Sequence, residues 1–64
     1  MLSRLTEREQ EIAKLVGKGY SNFAIGTILN IKEGTVKIHV SSILTKLNIL
    51  NRTQLAWIVA NENT

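Results

Sequence analysis

Apolar residues recur at helical spacing in four stretches of this chain, and one stretch carries an isoleucine on the opposite side. Between Gly34 and Leu47, the residues Val36, Val40, Ile43, Leu44 and Leu47 fall on one stripe at about 100° per residue. That spacing predicts a helix over about residues 33–47. Ile38 lies roughly opposite the stripe, among Gly34, Lys37, Ser41 and Thr45. A helix that reads a DNA major groove needs such a face. Small residues allow close approach, lysine meets phosphate or guanine, and a branched aliphatic meets a thymine methyl.

The other stretches predict three more helices, so the fold class is all-α with four helices. Thr6-Glu7-Arg8-Glu9 is a capping box, and it opens a helix over about residues 7–18 that buries Ile12, Leu15 and Val16. Leu5 enters the core just before it, and Gly19 can take the left-handed conformation that ends it. Ser21 caps a short helix over about residues 22–29, with Ile25, Ile28 and Leu29 on its inner face. Gly26 within it costs about 1 kcal/mol against alanine, and close helix–helix approach is the expected compensation. Asn30-Ile31-Lys32 forms a turn in which Ile31 tucks inward, and Lys32 is a poor cap for the helix that follows. Asn48 can end that helix as glycine would.

Asn51-Arg52-Thr53-Gln54 resembles a second capping box and opens a helix over about residues 52–61 with Leu55, Ile58 and Val59 inward. Ala56, Trp57 and Ala60 point away from that stripe. So short a chain cannot wrap this helix on both sides, which leaves the second face exposed or against another chain. Arg52 projects towards the core side, within reach of Glu9, and a structural ion pair between the two is expected.

Composition narrows the chemistry. Sixty-four residues make one domain spanning 1–64, and the formal charge of +3 favours a polyanionic partner without requiring one. The chain has no cysteine and no aspartate, and His39 is its one histidine. No Ser-His-Asp triad, thiolate metal site or zinc cluster can be assembled from it, so neither enzymatic activity, metal nor cofactor is expected. It cannot itself be a phospho-aspartyl receiver. No apolar run reaches the length of a membrane span and no signal-peptide pattern is present, which makes a cytoplasmic location the default.

Two short helices joined by a three-residue turn, the second with a groove-compatible outer face, form a helix-turn-helix at about residues 21–47. The same spacing occurs in bundles that bind nothing. Leu5-Thr6-x-Arg8-Glu9-x-Glu11-Ile12, Gly19-x-Ser21-Asn22-x-x-Ile25, Leu29-x-Ile31-x-x-Thr35-Val36-Lys37-x-His39 and Lys46-Leu47-x-Ile49-x-x-Arg52 closely resemble the LuxR-type helix-turn-helix domain. This is the DNA-binding module of the FixJ/NarL class of bacterial response regulators and of quorum-sensing regulators. The resemblance covers Leu5 to about Ala60.

The resemblance implies a transcription regulator that binds double-stranded DNA as a homodimer, in the bacterial cytoplasm and associated with the nucleoid. It also implies the effector domain of a two-component response regulator or a small stand-alone relative, with RNA polymerase or a receiver domain as further partners. Carried over by position, Lys37, Ile38 and Ser41 face bases, with Thr45 nearby. Thr35, His39, Lys46, Asn22 and Lys32 lie by the phosphate backbone, although His39 fits a packing role equally well. The last helix pairs two subunits through Thr53, Ala56, Trp57 and Ala60. Packing of Trp57 on the last residues of its own chain is the competing placement. Phe23, at a position commonly polar in the family, is the least explained residue. Ser41 stands where some relatives carry a second base-contacting lysine. A helical protein–protein adaptor and a sigma-factor-like promoter module are the alternatives.

Overall fold

The computed structural model describes residues 2–62, and the last residues of the chain, Asn63 and Thr64, lie outside it. A short 3₁₀ turn, Leu2–Arg4, precedes four α-helices: α1 (Glu7–Gly17), α2 (Asn22–Leu29), α3 (Glu33–Lys46) and α4 (Arg52–Glu62). The boundaries expected from the sequence hold to within one residue. The 3₁₀ turn was not foreseen. Three residues are too few for a periodic signal, yet the turn buries Leu2 beside Leu5.

Local chemistry sets the helix ends. The Thr6 hydroxyl accepts from the Glu9 N–H at 3.1 Å while a Glu9 carboxylate oxygen accepts from the Thr6 N–H at 3.0 Å, which completes the capping box. The Ser21 hydroxyl accepts from the Ala24 N–H and starts α2. At the start of α4 the Asn51 side chain accepts from the Gln54 N–H, as expected. The Gln54 side chain, however, accepts from the Leu50 N–H, so the reciprocal bond falls one residue earlier than a capping box would place it. Lys32 makes no side-chain cap. Asn30 (φ 58°) and Asn48 (φ 55°) both stand in the left-handed region, where asparagine is among the least strained side chains.

The core runs from Leu2 and Leu5 through Ile12, Ala13 and Val16 to Ile25, Val36, Val40, Ile43, Leu47, Leu55 and Val59. α1 lies at its centre, packed most extensively on α4 and also on α3, while α2 packs mainly on α3. Gly17 meets Val59 here: a Cβ at position 17 would fall 2.6 Å from a Val59 methyl.

Gly26 serves a different approach from the one expected. A Cβ there would fall 2.6 Å from the Ile31 carbonyl oxygen and 3.4 Å from the Glu33 nitrogen, so the residue makes room for the turn backbone. The Ile31 N–H returns a hydrogen bond to the Gly26 carbonyl at 2.9 Å. Glycine thus fixes how tightly α3 follows α2. Two inward assignments need correction. Ile28 is exposed, because α2 has little beyond α3 to pack against, and Ile58 is half-buried at the rim of α4.

Candidate nucleic-acid interface

The outer face of α3 is built by what the inner face excludes. Val36, Val40 and Ile43 are buried, which turns residues about 100–200° away from them towards solvent. Lys37, Ser41 and Thr45 are exposed there, and Ile38 is 72% exposed. Gly34 lies on the same face, and a Cβ at that position would meet nothing within 4 Å. The Thr45 hydroxyl donates to the Ser41 carbonyl at 3.1 Å, so its proton is committed to the backbone. Towards a ligand Thr45 offers its methyl group and its lone pairs. Thr35 and Lys32 are exposed at the N-terminal end of α3, and His39 is half-buried on the flank.

One expected pairing is overturned. Glu9 does not pair with Arg52. The Glu9 carboxylate instead accepts from Lys46 Nζ at 2.8 Å and from the Ser42 hydroxyl at 3.2 Å, both on α3. Arg52 turns the other way and donates to the Asn22 side-chain oxygen and to the Tyr20 carbonyl. The reason is geometric: Glu9 faces the C-terminal half of α3, whereas the first turn of α4 lies beside the start of α2. Arg52 therefore ties α4 to α2. Asn22 is left with its amide protons, its oxygen being engaged.

Lys46, expected by the phosphate backbone, has its ammonium on Glu9 in this structure. At about 100° per residue Ser42 and Lys46 lie about 40° apart on the α3 flank, so both reach one carboxylate. Ser42 was missed in the sequence. Its separation of four residues from Lys46, one helical turn, is the signal that could have joined them.

Glu9 is buried, and its pKa is lowered from 4.5 to about 2, chiefly by the Lys46 hydrogen bond and then by the Thr6 N–H. A depressed carboxylate stabilises the fold above its unfolded pKa. As pH falls below about 4.5 the unfolded chain takes up the proton first, and the contribution declines until pH reaches about 2. The melting temperature of the wild type should therefore fall more steeply between those pH values than that of Glu9→Gln. Parallel profiles in calorimetry would remove Glu9 from this role.

A second surface lies on α4. Trp57 is 67% exposed, Thr53 and Ala60 are also exposed, and Ala56 is half-buried. Ile49, Gln54, Trp57 and Ile58 line a shallow apolar groove beside them. Phe23 is 68% exposed on α2. Among the described residues no cluster of side chains suits a metal ion, and no helix is long and apolar enough to cross a membrane.

Residues 3–59 match the family model of bacterial regulatory proteins of the luxR family. Response regulator protein VraR of Staphylococcus aureus is 56% identical over 50 residues, which is 78% of this chain and 24% of that protein. The VraR proteins of Staphylococcus epidermidis and Staphylococcus saprophyticus match with the same identity and coverage. The chain thus spans about a quarter of the length of these curated relatives.

Proposed function

The chain belongs to the luxR family of bacterial regulatory proteins, and on that premise we propose that it binds promoter DNA as a homodimer, with α3 in the major groove. The observation that carries this reading is the α3 outer face. A largely exposed Ile38 stands roughly opposite the buried stripe, beside Gly34 and Ser41, with the exposed Lys37 on the flank of the same face. Lysine supplies donors for guanine or phosphate, and isoleucine supplies apolar contact for a thymine methyl. Ser41 and Thr45 lie further along the same face. Thr35 and Lys32 at the start of α3, His39 on its flank and the Asn22 amide at the start of α2 serve as backbone contacts in this reading.

The exposed face of α4 supports pairing through that helix. A tryptophan that is two-thirds exposed beside an apolar groove is suited to anchor an interface. Two copies joined there would set two α3 helices on half-sites about one helical turn apart, or a multiple of it. The names of the relatives suggest the chain's place, as the effector portion of a response regulator whose signal arrives through another domain.

Selection of binding sites from a random DNA pool, followed by sedimentation on the selected duplex, tests the reading. Wild type should bind as two copies per duplex and Trp57→Glu as one. If wild type also binds one copy per duplex, the α4 interface is wrong. An absence of salt-dependent DNA binding would reject the whole reading in favour of a protein-binding adaptor.

A further inference from the structure

The α3 helix carries two lysines, and the structure treats them differently. Lys37 is exposed with its ammonium towards solvent, whereas the Lys46 ammonium lies on a buried carboxylate. Resting on the reading of α3 as the DNA-contacting helix, we propose that Glu9 is an internal counter-ion that holds Lys46 off the phosphates. Glu9 is then a positioning residue that sets how many cations α3 offers to DNA.

Three observations support this. The Glu9 carboxylate is fully engaged: one oxygen accepts from the Thr6 N–H and from Lys46, the other from Ser42. If Lys46 turned to a phosphate, a buried carboxylate would lose its cationic partner. That loss outweighs what a solvent-exposed contact returns. Lys46 also sits in the last turn of α3, where the free carbonyls favour a cation. Finally, Ser42 and Lys46 pin α3 to α1 at two points one turn apart, so the pair fixes the orientation of the helix. Releasing Lys46 would loosen that hold.

The dependence of affinity on salt separates this role from a merely structural one, because the slope counts phosphate contacts. Wild type, Lys46→Met, Glu9→Gln and the double variant would be titrated onto one selected duplex by fluorescence anisotropy. Far-UV circular dichroism would verify folding of each. Lys46→Met should leave the slope of log K against log salt unchanged. Glu9→Gln should steepen it by about 0.9 for each bound copy, about 1.8 for two copies on one duplex, equivalent to about 12-fold more loss of affinity between roughly 50 and 200 mM salt. The double variant should return to the wild-type slope.

A slope lowered by about 0.9 for each bound copy in Lys46→Met would mean that Lys46 already grips phosphate, and the proposal would be overturned. An unmoved slope in folded Glu9→Gln would overturn it as well. If Glu9→Gln does not fold, the Lys46→Met slope still decides. Wild type that shows no salt-dependent binding would instead bring down the DNA-binding reading on which this one rests.

Discussion

Ile43→Ala should lower the folding free energy by about 2–5 kcal/mol. Ile43 is completely buried on α3, within the core that joins α3 to α1. The substitution removes three carbons and leaves a cavity that the surrounding helices can fill only by giving up other contacts. The loss is large on the scale of the whole. At roughly 0.05–0.15 kcal/mol per residue, a chain of this length has about 3–10 kcal/mol in total. Urea unfolding followed by circular dichroism should show a midpoint shifted far towards zero denaturant. A change below about 1 kcal/mol would mean that the site collapses without a cavity, and that Ile43 is less central than its burial indicates.

Lys37→Ala should weaken binding to a selected DNA site by about 1–3 kcal/mol, roughly 5- to 150-fold in Kd, while leaving thermal stability near wild type. Lys37 is exposed on the proposed groove face, so its truncation leaves no cavity in the core. Comparing the selected duplex with an unrelated one identifies the partner. A loss confined to the selected site marks a base contact, most plainly with the O6 and N7 acceptors of guanine. An equal loss on both duplexes marks a phosphate contact. An unchanged Kd on both would take Lys37 out of the interface.

Periodicity and capping made most of the backbone legible. Helix spacing alone separates Val36, Val40 and Ile43 from Lys37 and Ile38, because opposite faces of one helix follow from its geometry. Thr6, Ser21 and Asn51 marked helix starts, each having a side-chain oxygen within reach of a free N–H.

Long polar side chains were harder to place. A helical wheel puts Arg52 on the inward side but does not say which neighbour stands there, and a guanidinium can reach either of two helices. The choice fell to the Asn22 oxygen and the Tyr20 carbonyl. Ile28 failed for another reason. Its spacing suits a core residue, but burial needs a neighbour on that side, and α2 has α3 as its main one. Gly26 signalled a close approach correctly, while the element approaching it was the turn backbone.

The pairing of the first helix with the last has a consequence for synthesis. α1 makes its largest contact with α4, and Leu55 and Val59 of α4 complete the core around it. While the ribosome is still adding the residues of α4, the α2–α3 pair already has α1 to pack on, but the face of α1 that α4 covers is open. The core is therefore completed only after α4 has emerged. Until then a nascent chain exposes the apolar side chains of α1 that Leu55 and Val59 cover in the complete fold. A stalled or truncated product lacking α4 would be left in that state, open to proteolysis.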